Sequence, residues 1–289
     1  MRSILLAAVL VLCGADWHSA QTGSVEVIFL DVGQGDAIVV RSPEGKVALI
    51  DSGNDPGIVH LLRRHGIDSI DIVIASHPHA DHIGGMPAVL AGFPVRFYMD
   101  NGVPHTTATY RNVLRAVRNS DVTYLAATAR TIELGSVDIH VLPPMPEGDK
   151  LNNQSIGLLV EYGEFKALFT GDSEIPELNY FMSLDVSDVT LLKAAHHGSR
   201  DAVSQAWLSR TKPEVVVISV GGGNPYGHPH DWALRYYRAA CDAIYRTDLH
   251  GDVTIQGNVD GTFVVTAGRR ATSATMQDQR EVPAVSYVH

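Results

Sequence analysis

The sequence predicts an α/β fold of four layers, αββα, in which two mixed sheets lie face to face with helices on their outer sides. Three observations predict it. The 289 residues are 45% apolar and 19% charged, which describes a globular chain long enough for one large α/β domain. Short β-branched runs bounded by Gly and Pro turns alternate with helical stretches. One plan also occurs twice. A strand ends on an aspartate beside small residues (Asp51-Ser52-Gly53, Gly171-Asp172-Ser173), a helix follows, and about 25 residues later a continuous apolar strand ends in histidine, at His77 and at His196. Two such halves bury their sheets against each other, which gathers polar groups where the strand C-terminal ends meet.

The elements follow in order. EVIFLD (26–31), AIVVR (37–41) and KVALID (46–51) read as three strands, and a helix runs from about Pro56 to His65. IDIVIAS (70–76) is a run of apolar residues of strand length, broken only by Asp71 before its closing Ser76, so it is a strand buried on both faces. A helix begins near Ile83. A strand at Val95–Met99, a helix at about Thr107–Arg118 and strands near Thr131–Leu134 and Val137–Leu142 lead into the second half. There SIGLLVEYG (155–163) and EFKALFTGD (164–172) form a hairpin, a helix spans about Ile175–Met182, and VTLLKAA (189–195) is the second buried strand. A helix at Val203–Thr211, a strand at Glu214–Val220, a helix at Asp231–Ala240 and short closing strands complete the domain, taken as 21–271.

Residues 1–20 have the layout of a secretory signal peptide: Arg2, nine apolar residues from Ile4 to Leu12, then small residues, with cleavage after Ala20 or Ala15. This points to a secreted or periplasmic protein. No other stretch approaches 18 uninterrupted apolar residues, so stable membrane insertion is not expected. Residues 272–289 are polar and aperiodic, a disordered tail. Cys13 and Cys241 are the only cysteines, which excludes a disulfide framework and a Cys-based zinc site. The net charge of −10 argues against a general grip on nucleic acid or anionic membrane. Any basic groove is local, with Lys193, Arg200 and Arg246 as candidates. Nothing points to a protein partner.

Fourteen histidines are roughly double the usual share, and three fall within HPHADH, residues 77–82. His77 and His79, two apart just past a strand, point to one side, whereas Asp81 and His82 face a second point around the turn. The block thus suits two adjacent cations, and the helix after it turns a positive N-terminal dipole toward an anionic substrate. Four unpaired titratable groups beside a buried strand would otherwise be costly.

HPHADH with Gly171-Asp172 resembles the metallo-β-lactamase superfamily. LDVGQGDA (30–37), ALIDSG (48–53), LKAAHHGS (192–199), VISVGGGNPYGHP (217–229) and YRTDLHG (245–251) are similar to its ComEC type, the soluble hydrolase domain of competence proteins and their stand-alone relatives. The resemblance covers Val25 to Ala267. It implies an αββα fold, one or two divalent metal ions and hydrolysis, but not the competence proteins' membrane channel. By the family pattern His77 and His79 hold the first metal, Asp81 and His82 the second, Asp172 bridges them, and one of His196 and His197 completes the second site, with His196 preferred. Asn152 stands near where many members carry a further histidine, so it ligates weakly or water fills the place. Oxygen and imidazole ligands fit Zn²⁺ and Mn²⁺ about equally. Asp51 is expected to orient a ligand histidine, and His197 is a ligand or supports one.

Asp31, Gln34 and Asp36 are candidates to line a pocket, or else polar groups of a hairpin turn. Ser199 and Asn224 are weaker pocket candidates. His228 is a candidate to protonate the leaving oxygen or hold a substrate phosphate, or it merely orders its loop. His60, His65, His105, His140 and His250 have no companions in sequence and read as surface or packing residues. Two cations would activate a water between them for attack on a phosphodiester, with His228 or Asp81 assisting the leaving alcohol. The expected function is a secreted metal-dependent phosphodiesterase with DNA as a candidate substrate. The rivals are a hydrolase of small esters, diesters or lactams in the envelope, and a non-catalytic metal-binding accessory protein.

Overall fold

The computed structural model describes residues 23–146, 148, 150–269 and 286–287. The expected leader lies outside them, as does the tail apart from Ser286–Tyr287. In chain order β1 (Val25–Phe29), β2 (Ile38–Arg41), β3 (Val47–Ile50), β4 (Ile70–Ile74), β5 (Val95–Asp100) and β6 (Thr123–Ala126) build most of the first sheet. The second consists of β7 (Arg130–Leu134), β8 (Val137–Leu142), β9 (Gly157–Tyr162), β10 (Phe165–Phe169), β11 (Leu191–Lys193), β12 (Val215–Ile218) and β13 (Ala243–Arg246). The chain then returns to the first sheet as β14 (Val253–Gly257), β15 (Phe263–Ala267) and β16 (Ser286–Tyr287). The strand orders are β16-β15-β14-β1-β2-β3-β4-β5-β6 and β13-β12-β11-β10-β9-β8-β7.

Both sheets are mixed. β3 to β6 run parallel in one, and β10 to β13 in the other; the remaining pairs are antiparallel. Parallel strands need covered crossovers, and helices supply them. α1 (Ile58–Arg64), α2 (Ala80–Ile83), α3 (Met86–Gly92) and α4 (Ala108–Arg118) belong to the first half. α5 (Ile175–Met182), α6 (Gln205–Thr211), α7 (Asp231–Ala240) and α8 (Thr247–His250) belong to the second. Caps set two of the starts: the Thr107 side chain accepts from Tyr110 N at α4, and Ser204 from Trp207 N at α6.

Three apolar clusters define the four layers. Between the sheets, Val27, Phe29, Ile50 and Ile74 meet Ile139, Val160, Phe169 and Val217. Phe29 and Phe169 pack edge to face at 5.9 Å, a geometry worth about 1 kcal/mol beyond burial. Outside the first sheet, Leu49 and Val73 pack with Leu62, Val89 and Val113 of α1, α3 and α4. Outside the second, Leu168 and Val216 pack with Phe181, Trp207 and Tyr237 of α5, α6 and α7. Alternate residues of one strand thus feed opposite layers, as a period of two requires.

The expected helix near Ile83 is divided. α2 starts earlier, directly after His79, and α3 follows Gly84-Gly85, where added Cβ atoms would meet backbone oxygens of Asn54 and Ser52 at 2.3 and 2.5 Å. β6 was not anticipated; it is an edge strand whose residues are mostly exposed, so no burial pattern marks it. Among the described residues no helix is long and apolar enough to cross a membrane.

Candidate metal centre

Because β3 and β4 run parallel in one sheet and β10, β11 and β12 in the other, their C-terminal ends open on one shared edge. Asp51 follows β3, His77 and His79 follow β4, Asp172 follows β10, and His196 and His197 follow β11. α2 then turns Asp81 and His82 back toward the same point.

The side chains form two sets that share one carboxylate. His77, His79 and Asp172 make the first, and Asp81, His82, Asp172 and His197 the second; within each, the candidate ligand atoms lie within 4.8 Å of one another. His77 Nε2 is 2.8 Å from His79 Nδ1 and 3.8 Å from Asp172 Oδ2. His82 Nε2 is 3.3 Å from Asp172 Oδ2, and His197 Nε2 is 3.5 Å from Asp172 Oδ1 and 3.3 Å from Asp81 Oδ2. His196 Nε2 lies 3.8 Å from Asp172 but is outside both sets. Sequence reasoning preferred His196; the geometry instead groups His197. The reason is local backbone: His196 and His197 have φ of 49° and 53°, so the chain coils left-handed and swings the second imidazole inward. Such conformations cost of order 1 kcal/mol or more each and cluster at functional sites.

Polar partners fix the imidazoles. His82 Nδ1 contacts Asp51 Oδ2 at 2.8 Å, and that carboxylate accepts from Ser76 N and Oγ at 2.8 and 2.7 Å. His197 Nδ1 donates to Ser219 O at 2.9 Å. In both rings Nε2 is therefore the nitrogen turned inward. Asp51, with φ of 58°, is thus the carboxylate against His82 Nδ1.

The charges are tightly balanced. Burial lowers His82 and His197, but Asp172 with Asp51 and Asp81 holds His82 well above its ordinary value, and Asp172 with Asp36 lifts His197 to about 10. Burial opposes ionisation of Asp172, yet His197 and His82 keep its pKa well below normal. His77 is held low, chiefly by burial and then by His82. A divalent cation fits this environment. His82 Nε2, His197 Nε2 and Asp172 Oδ1 are buried without a hydrogen-bond partner. Leaving such atoms unmatched costs about 1–3 kcal/mol each, and a cation among them removes that cost.

Several expectations change in position. Lys193 is 1% exposed, so it cannot grip a polynucleotide; its Nζ lies 2.5 Å from Asp36 Oδ2 and donates to Gly171 O at 2.8 Å. Asp36 is equally buried. Burial would raise its pKa, but Lys193 and His197 bring it to about 2. Asp36, Asp51 and His82 also cluster, but the Lys193 ammonium already neutralises that group. Gly35, with φ of 135°, lets the turn close on the ligand block. A Cβ there would sit 2.2 Å from Asp81 O, and Asp36 N donates to that oxygen at 3.2 Å. Asp31 accepts from Gly33 N and pairs with Arg269, away from both sets. Gln34 Oε1 accepts from Gly221 N. Ser199 is buried and caps the turn at Arg200–Ala202.

Asn224 latches its own loop. Its amide donates to Gly221 O and His228 O, and its oxygen accepts from Tyr226 N and His228 N. His228 stands at the mouth, 5.4 Å from His196 between ring centres. Burial, then His196, His197 and His230, bring its pKa down to about 4. Burial and the neighbouring imidazoles thus favour its neutral form. Asn152 sits 3.4 Å from His196, with a buried, unpartnered Oδ1. Arg246 is tied to Asp248, whereas Arg200 is exposed. His105, which reads from the sequence as a surface or packing residue, brings its ring within 6.2 Å of that of His79. The usable signal was topological, since the loop after β5 leaves the same edge as the loop after β4.

Residues 30–222, two thirds of the chain, match the metallo-beta-lactamase superfamily. The chain belongs to the metallo-beta-lactamase superfamily. It carries the superfamily's hydrolase fold and a histidine–aspartate cluster able to hold metal ions. It is 28% identical over 269 residues to ComE operon protein 3 of Bacillus subtilis, covering 83% of this chain and 34% of that protein. It is also 28% identical over 239 residues to Recombination protein 2 of Haemophilus influenzae, covering 80% and 28%. The chain therefore spans about a third of the length of the curated relatives it matches. Among solved structures, CmlA, a diiron beta-hydroxylase from Streptomyces venezuelae, aligns with a TM-score of 0.50 at 17% identity over 81% of this chain and 54% of that one; this likeness shows the fold alone.

Proposed function

We propose that this chain is a metal-dependent hydrolase of phosphodiester bonds, with DNA as the leading substrate, working outside the cytoplasm if residues 1–20 act as the expected leader. The observation that carries the reading is the pair of ligand sets sharing Asp172, an arrangement suited to in-line displacement at a phosphorus centre. Similarity to proteins named Recombination protein 2 and Competence protein ComA supports nucleic acid as the substrate class.

In this reading His77, His79 and Asp172 would hold one divalent ion, with Asn152 next to His196 as a weaker candidate ligand, and Asp81, His82, Asp172 and His197 would hold the other. Such ions, Zn²⁺ or Mn²⁺, lower the pKa of a water and offset charge on phosphoryl oxygens. The protein's own groups do the rest. Asp51 and Ser219 O keep the Nε2 lone pairs of His82 and His197 pointed inward. Lys193 holds Asp36 ionised, and Asp36 Oδ1 lies 3.4 Å from His197 Nδ1. His228, neutral at the mouth, offers an N–H to a non-bridging phosphate oxygen. Asp81, the least buried acid of the cluster with a side chain 29% exposed, is placed to receive or pass a proton.

The test is incubation of the full chain with single-stranded DNA and Mn²⁺ or Zn²⁺ at low salt, beside Asp172→Ala. Cleavage by the wild type and none by the variant is expected; intact DNA in the wild-type lanes under both metals refutes the reading.

A further inference from the structure

The loop between β12 and α7 holds an aromatic ring in water at the mouth of the site. Tyr226 is 62% exposed, the most exposed large apolar side chain among the described residues. It is not a loose loop tip. Asn224 ties the backbone on both sides of it, accepting from Tyr226 N at 3.2 Å and from His228 N at 3.0 Å. The inner face of the Tyr226 ring lies on His228, with centres 5.7 Å apart and planes 27° from parallel. The His228 ring is in turn 5.4 Å from His196 and 6.3 Å from His197. Tyr226 therefore stands two ring separations from the metal-binding cluster, with its outer face open. Its immobilisation and exposure bring no benefit to the core. By contrast Trp232, also exposed, has neighbours at its ring: Tyr236 at 5.3 Å and the Arg235 guanidinium at 5.6 Å.

We propose that Tyr226 is a stacking platform for an unpaired nucleobase adjacent to the scissile phosphate, so that the substrate class is single-stranded nucleic acid and not an aliphatic phosphodiester. The inference rests on the phosphodiester reading above and sharpens it. Every base offers a π-face, so the platform selects for the presence of a base and not for its identity. It also meets the difficulty raised by the net charge of −10: stacking supplies affinity that a basic groove would otherwise have to provide.

The test compares a single-stranded dT oligomer with an abasic strand of equal length, cleaved by the full chain with Mn²⁺. In the wild type, KM for the dT strand is expected to be about tenfold below that for the abasic strand, the effect of one stacked base. Tyr226→Ala brings the ratio near one, mainly through KM and not kcat; Tyr226→Phe and Trp232→Ala preserve it. A ratio unchanged by Tyr226→Ala overturns the platform while leaving the phosphodiester reading standing. A wild type that cleaves neither strand with Mn²⁺ or with Zn²⁺ overturns that reading and the platform with it.

Discussion

Lys193→Met separates two accounts of one residue. If the ammonium served substrate, its loss would weaken binding and reduce the salt dependence with little effect on stability. The structure instead buries Lys193 and Asp36 together, each 1% exposed, 2.5 Å apart, with Gly171 O as a further acceptor. Removing one member of a buried ion pair leaves the other charged and unmatched, at a cost of about 3–5 kcal/mol. For a domain of this size each kcal/mol shifts Tm by roughly 2–4 °C, so the variant should melt about 6–20 °C lower. Lys193→Met combined with Asp36→Asn removes both charges and should recover most of that loss. The assay is calorimetric or fluorescence-detected melting of wild type, both single variants and the double variant in EDTA, which keeps metal affinity out of the comparison. A drop below about 2 °C in Lys193→Met, or a double variant as unstable as the sum of the singles, refutes the buried-pair account.

Two other predictions follow from geometry. Gly35→Ala places a Cβ 2.2 Å from Asp81 O at a φ that L-residues rarely adopt. We expect a loss of about 2–4 kcal/mol in urea unfolding and weaker Mn²⁺ binding by calorimetry; unchanged metal affinity would show that the turn does not position Asp81. Glu177 is fully buried, and burial, against bonds from Met145 N, Ser173 Oγ and Ser155 N, raises its pKa from 4.5 to about 7. Ser173 Oγ lies 2.7 Å from Glu177 and 2.6 Å from Thr170 O. Its single hydrogen serves only one of them, so a protonated Glu177 completes the network. A raised folded-state pKa means that the folded state binds the extra proton. The contribution is complete below pH 4.5 and is lost as pH rises through 7, by about 3 kcal/mol. Glu177→Gln should lack that component; identical pH profiles of unfolding for wild type and variant would refute it.

Most of the architecture was legible because the buried parallel strands are almost wholly apolar, IDIVI but for Asp71 and the β12 run VVVI throughout, and each is followed by polar residues. The metal-binding cluster was legible for a similar reason, since HPHADH puts several ligands within one turn. What escaped the sequence depends on direction. Whether His196 or His197 enters the cluster is settled by two left-handed residues, which no periodicity records. Lys193 reads as a surface cation by type, and only the approach of Asp36 from the opposite sheet makes it an interior one. Asp31 and Asp36 belong to one glycine-rich turn, yet the turn sends them to different surroundings. His105 needed the strand order, because its closeness to His79 arises across neighbouring parallel strands.

The placement of β1 sets an order of events during synthesis. This first strand lies inside its sheet, and one edge pairs in register with β14, from Val25 with Gly257 to Phe29 with Val253. Until the ribosome has made residue 257, that edge has no permanent neighbour, although nearly all of both sheets already exists. Contacts of such long sequence separation are slow to form, and an open apolar edge recruits other chains. A chain stopped near Gly251 would thus retain every metal-binding side chain and still be aggregation-prone. The last short strands act as the closure that makes an otherwise complete centre durable.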